Sequence, residues 1–282
     1  MPSDIVDEIR AFHRQRCYMM ACRQRADHAL GAFIRTQLGW SLRLSKAERE
    51  QIERRARLLI ADPASSPFEA VITASQAAAE PFAKVERQCL RKMTRRAEIL
   101  PVWEAFGRDI RGFGAGSLAV IVGEAGDLDS YATHSRLWKR MGLAVIDGVR
   151  QGGLRSSAGR EQWITHGYSP IRRSRMWNIG DSLIKGNREG RYRGVYLARK
   201  DYERARATMA GLTVAPAAKI PAKRRDEFMS EIHVHLRAQR YMEKRLLRDL
   251  WRAWRRASCR VPEKAKIPMP DADISDCMEA AR

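Results

Sequence analysis

The chain has 282 residues, 53 of them Lys or Arg against 33 Asp or Glu, for a formal net charge of +20. That excess excludes an ordinary metabolic enzyme as the default and points to a polyanionic partner; nucleic acid is favoured over a membrane surface because arginine carries most of the charge along the whole length. A hydrophobic content of 44% supports a packed core, which excludes a disordered basic tail.

The length suits one large or two modest domains. No run of roughly 18 apolar residues is present. Residues 1–10 carry Asp4, Asp7 and Glu8 where a leader would be apolar, so a cytoplasmic, nucleoid-associated bacterial protein with no membrane partner is expected. Cys17, Cys22, Cys89, Cys259 and Cys277 are scattered without metal spacing. Reduced thiols, no metal and no cofactor are expected.

Residues 4–38 hold no proline and a single glycine, Gly31, and their apolar residues recur at three-, four- and seven-residue steps from Ile5 to Phe33. This predicts a long amphipathic helix flanked by Arg10, Arg14, Arg16 and Arg23, whose stripe serves as core or as a homodimer contact. Ser45-x-x-Glu48 is a capping box opening a second helix that stops at Asp62-Pro63. A third is expected to start with Ser66 as cap and Pro67 at its first position, to break or kink at Pro81, and to continue as a basic helix to Leu100.

Pro101 opens a short helix with Trp103 and Phe106 that runs into Ile110-Arg111-Gly112-Phe113-Gly114-Ala115-Gly116-Ser117. Two glycines flank one apolar residue, so the backbone can turn tightly while Phe113 anchors the turn in the core. The following helix would aim unpaired N–H groups and its positive dipole end outward, which suits a phosphate oxygen. Gly112, Gly114, Gly116 and Ser117, with Arg108 and Arg111 beside them, are therefore the expected grip on a nucleic-acid backbone.

Beyond it, Glu124, Asp127 and Asp129 read as a helix end and an N-cap rather than a metal site. Residues 143–168 are glycine-rich and irregular, and Ser169-Pro170 caps a helix bearing Arg172, Arg173 and Arg175, expected to extend the DNA contact. A helix follows over about residues 192–210, a linker over 212–222, and a last long helix over about 225–258, dense in Arg and Trp. The resulting fold class is all-α, a multi-helix domain containing a helix-hairpin-helix with long basic N- and C-terminal helices. Its expected regions are a basic helical segment with coiled-coil potential at 1–99, a helix-hairpin-helix domain at 100–257 and a flexible tail at 258–282.

With those elements placed, the chain from Ile110-Arg-Gly-Phe-Gly114 through Ala119–Asp127, Leu128–Tyr131, Leu137–Leu143, His166-Gly167, Arg172-Arg173 and Leu236–Trp254 resembles the C-terminal domain of the Piv-type DNA invertases and related insertion-sequence transposases. Over its full length it is similar to uncharacterised proteins of bacterial mobile elements and prophages. The resemblance implies a helix-hairpin-helix recombinase domain. It also implies a resolvase-like acidic α/β domain ahead of it, yet residues 1–99 read as helical and supply none. A nucleophilic serine is implied a few residues after Gly142-Leu143, where this chain has Gln151, whose amide cannot form a covalent DNA link. Ser156 and Ser157 are the remaining candidate nucleophiles. The expected function is DNA backbone binding, with RNA offering the same phosphate contacts, and no recombinase chemistry of its own. The competing readings are a recombinase, or its catalytic half, completed by a partner subunit or guide RNA, and a basic scaffold for acidic proteins.

Overall fold

The computed structural model describes residues 3–186 and 189–260. Its first element, α1 (Ser3–Gln37), is unbroken, and its apolar stripe packs along α3 (Glu69–Ile99) of the same chain. Between them α2 (Lys46–Ala61) begins with the reciprocal capping box: Glu48 N–H donates to Ser45 Oγ at 3.3 Å and Ser45 N–H to Glu48 Oε2 at 2.8 Å. Leu30 and Ile34 of α1, Ala56 of α2 and Ile72 of α3 make a small core at this end, with Phe33 edge-on to Phe68 at 6.0 Å.

Two details of α3 differ from or narrow the expectation. It starts at Glu69 rather than at Pro67, because the Ser66 hydroxyl accepts the Phe68 N–H at 3.1 Å and holds residues 66–68 as a turn instead of a cap. Pro81 sits inside the helix without ending it. The ring removes one backbone hydrogen bond, and the packing of α3 along α1 on both sides of it outweighs that loss.

The main core lies on α9 (Glu231–Arg260). Val234, Ala238, Met242, Leu246, Leu250, Ala253, Trp254 and Ala257 are all buried, a stripe at steps of three and four. Against it pack α5 (His134–Arg140), α7 (Pro170–Lys185) and α8 (Arg191–Met209). Three tryptophans tie α9 to residues 127–138. Trp254 Nε1 donates to Asp127 Oδ1 at 2.8 Å, Trp251 Nε1 to Tyr131 O at 3.0 Å, and Trp138 Nε1 to Lys244 O at 2.9 Å. A buried indole N–H needs such a partner, so the contacts fix register as well as burial. The same core takes Val6 and Ile9 from α1 and Met93 and Ala97 from α3, so it crosses residue 100 without a seam.

A buried polar pair also sits here. Glu243 is fully buried, its carboxylate 2.8 Å from Arg173 Nη1 and accepting from Gln239 Nε2 at 3.1 Å. Gly180 of α7 makes the room, since a Cβ there would lie 2.6 Å from Glu243 Oε1.

The segments expected to be irregular carry short strands. Thr213–Ala215 (β3) pairs in parallel with Phe228–Ser230 (β4), Thr213 opposite Phe228, so the expected linker is pinned to the entrance of α9, which begins at Glu231. Val145–Ile146 (β1) and Val149–Arg150 (β2) form a hairpin turning on Asp147 and Gly148, both at positive φ, and α6 (Arg160–His166) follows. The fold is all-α and multi-helix apart from these strand pairs. Among the described residues no helix is long and apolar enough to cross a membrane, and no His/Cys/Asp/Glu group is placed to hold a metal. Most of the expected tail, 261–282, lies outside the described residues.

Candidate anion-binding face

Residues 101–118 place a glycine turn between a π-helical turn, Trp103–Gly107, and α4 (Ala115–Ala125). Gly112 has φ +81° and is pressed onto α7, where a Cβ would lie 2.7 Å from the Ser182 carbonyl oxygen. Phe113 is buried, edge-on to Phe106 at 6.4 Å. Gly114 is the N-cap of α4 and is exposed; a Cβ there would meet nothing within 4 Å. The Ser117 and Leu118 N–H groups both donate to Gly114 O, at 2.8 and 3.3 Å, and no side chain caps this end. Ala115 and Gly116 are the remaining first-turn donors. Above them runs a groove of ≈ 390 Å³ lined by Gly114, Gly116, Ser117, Asn178, Arg16 and Arg175.

The arginines expected at the turn go elsewhere. Arg108 is exposed and ion-paired with Glu104, one helical turn back. Arg111 is exposed and lines a separate cavity with Arg191 and Arg193. Arg173 is taken up by the buried Glu243 pair. Arg172 and Arg175 point the other way around α7, onto the far end of α4.

There they build a highly charged cavity of ≈ 500 Å³ between α1, α4 and α7. Its floor is Glu124, at the last turn of α4, with a side chain only 11% exposed. Arg172 Nε donates to Glu124 Oε2 at 3.2 Å, Arg175 pairs with the same carboxylate, and His13 Nε2 lies 3.0 Å from Oε1. His13 reaches this position because Gly123 has no side chain; a Cβ there would lie 2.4 Å from His13 Cγ. One turn along α1 from His13, Cys17 accepts from Arg175 Nη2 at 2.9 Å and lies 3.6 Å from His13 Nε2. Burial raises the Cys17 thiol, but the hydrogen bond and charge of His13, with those of Arg175, outweigh it and set its pKa below the ordinary thiol value. Arg10, Arg14 and Arg140 complete the wall, and Arg140 Nε donates to the Glu124 carbonyl at 2.9 Å. Burial, then the charges of Arg172 and Arg10, lower the Arg140 pKa.

The loop expected to hold a nucleophile is locked by Gln151. Its side chain is buried: Nε2 donates to Lys139 O at 3.0 Å and His166 O at 2.5 Å, and Oε1 accepts Ala144 N–H at 2.9 Å. Both hydrogens of the amide and its oxygen are thus used in joining the end of α5 to the end of α6. Ser156 and Ser157 are exposed in the turn that follows.

Of the residues named from sequence, Gly114, Gly116, Ser117 and Arg175 line the groove at the start of α4, Arg172 and Arg175 line the cavity at its far end, and Gly112 packs against α7. Sequence reasoning missed His13, Cys17 and Arg140 as parts of a site and set Glu124 aside as a helix end. The signal was present in α1: positions 10, 13, 14 and 17 share one helix face. Nothing local says that α4 and α7 close over that face. Comparison of the chain with protein-family models, with curated proteins and with solved structures found no match.

Proposed function

We propose that this chain binds nucleic acid through the sugar–phosphate backbone, using the glycine turn as one half of a helix-hairpin-helix and the arginine cavity as a continuation of the same footprint. One observation carries the reading: Arg175 lines both the groove over the first turn of α4 and the cavity at its far end, so the two form a single basic track. First-turn amides lie at one end of it and most of its guanidinium groups at the other, donor types that suit phosphate oxygens. The net charge of +20 supplies the long-range attraction. The resemblance to invertase and transposase C-terminal domains, and hence a place in a mobile element, agrees with this reading. With Gln151 committed to holding its loop, the reading gives this chain binding rather than strand cleavage.

The test is a titration of labelled duplex across a range of salt. Affinity should fall linearly in log–log form with salt, with little difference between sequences. Arg14→Glu alters an exposed residue of the track and should weaken binding while lowering the salt slope by about 1, the change expected for one lost phosphate contact. Affinity indifferent to salt would overturn the proposal, and so would a strong preference for one sequence. A short RNA duplex in the same assay separates DNA from RNA.

A further inference from the structure

The cavity between α1, α4 and α7 holds more positive charge than the fold consumes. Arg172, Arg175 and His13 share one carboxylate, Glu124. Arg10 pairs at the surface with Asp7, 3.0 Å away. Arg140 donates to a backbone carbonyl, and no described carboxylate pairs with it. Arg14 is exposed, and no described carboxylate pairs with it. Burial first, then repulsion from Arg172 and to a smaller degree Arg10, lowers the Arg140 pKa. His13, with a side chain 4% exposed, keeps a buried Nδ1 without a partner. Arginines around one carboxylate that two of them already pair with suit an anion of more than one charge.

A backbone phosphodiester carries a single charge and passes along a groove. A phosphomonoester carries about −1.5 to −2 near neutral pH and ends a chain, so it can enter a cavity. The ≈ 500 Å³ here accommodates a phosphate with its attached sugar. We infer that this cavity is a phosphomonoester site that receives the terminal phosphate of a nucleic-acid strand, with Arg14, Arg140 and Arg172 as its cations and Cys17 on its wall. The inference rests on the backbone-binding reading above, since the groove over α4 leads a strand to it across Arg175. Glu124 does not oppose the anion, because Arg172 and Arg175 already pair with it.

Cys17 provides the measurement. Iodoacetamide alkylates its thiolate with loss of iodide, and peptide mapping by mass spectrometry separates Cys17 from the exposed Cys259. The full-length protein is treated in the presence of a hydroxyl-ended oligonucleotide, the same strand phosphorylated at its 5′ or its 3′ end, adenosine monophosphate, or inorganic phosphate. A phosphorylated strand should slow Cys17 alkylation about tenfold more than the hydroxyl-ended one, the effect of one strong charge-assisted contact. Cys259 should be unaffected, and Arg14→Gln, which removes no contact of the fold, should erase the difference. Protection by adenosine monophosphate equal to that by the phosphorylated strand would support the phosphomonoester site but assign it to a free nucleotide. Equal protection by hydroxyl-ended and phosphorylated strands would overturn the inference and leave backbone binding intact. No protection by any of them, with salt-dependent strand binding retained, would likewise overturn the site alone. Absence of strand binding at every salt concentration would overturn the function reading as well.

Discussion

Gly112 shows how much of a turn a sequence can disclose. Its spacing from Gly114 marks a tight bend, but the reason no other residue fits lies in α7, where Ser182 comes within 2.7 Å of a would-be Cβ. Gly112 substitutions therefore read out folding rather than binding, contrary to what the turn pattern alone suggests. Gly112→Val should lower the unfolding free energy by about 2 kcal/mol or more, from the left-handed backbone and the clash together, measured by urea denaturation. Arg111→Glu, on an exposed side chain, should leave the midpoint unchanged. Gln151 gives the converse lesson. Against the family pattern it is a missing nucleophile; in the structure it is a three-bond staple. Gln151→Leu leaves the His166 carbonyl and the Ala144 N–H without this partner, while Lys139 O keeps the Gly142 N–H, and should cost about 2 kcal/mol, seen as a lower denaturation midpoint and faster amide exchange at Ala144.

Helices were legible wherever their ends carry local chemistry. The Ser45–Glu48 box, the stop at Asp62 and the Ser169-Pro170 start all depend on neighbours within four residues, and each lies where the sequence puts it. Elements settled by distant contacts were not. The β3–β4 pairing joins residues 15 positions apart in sequence through backbone bonds that leave no residue signature, and α3 runs through Pro81 because α1 supports it. The long C-terminal helix was legible as basic and Trp-rich, yet its central position in the core was not, because charged residues on its outer face dominate its composition. The site divides along the same line. The α4 end was readable, whereas the meeting of α1, α4 and α7 depends on Gly123, which nothing nearby distinguishes from any helical glycine. Gly123→Ala should force the His13 ring off Glu124, at a cost of about 1–3 kcal/mol, and should return Cys17 alkylation toward the rate of an ordinary thiol.

Across the whole molecule, charge is handled in two ways. Most arginines face solvent or surface carboxylates, where pairs contribute little. Glu243 is different, being buried with Arg173 and Arg240 as its charged neighbours and Gln239 as its amide donor. Burial pushes its pKa up to about 7 against the pull of Arg173 and Gln239. The folded state thus holds a proton that the unfolded state releases at ordinary carboxylate pH. The stability from this group is full below that lower pH and is lost as pH rises through about 7. The loss should amount to about 3 kcal/mol. Glu243→Gln should flatten the dependence of unfolding free energy on pH across this window, and an unchanged slope in the variant would assign it to other groups.

The main core draws Val6 and Ile9 from the beginning of the chain into the same cluster as Leu250 and Trp254 near the end of α9. During synthesis, then, α1 can close on α3 once residue 99 is made, whereas the cluster that Val6 and Ile9 share with Leu250 and Trp254 is completed only when α9 arrives. A basic nascent segment waiting in that state is surrounded by ribosomal and messenger RNA. Under the proposed nucleic-acid binding, holding the early helices on a polyanion until α9 completes the core would let one electrostatic property serve both the maturation of the protein and that function.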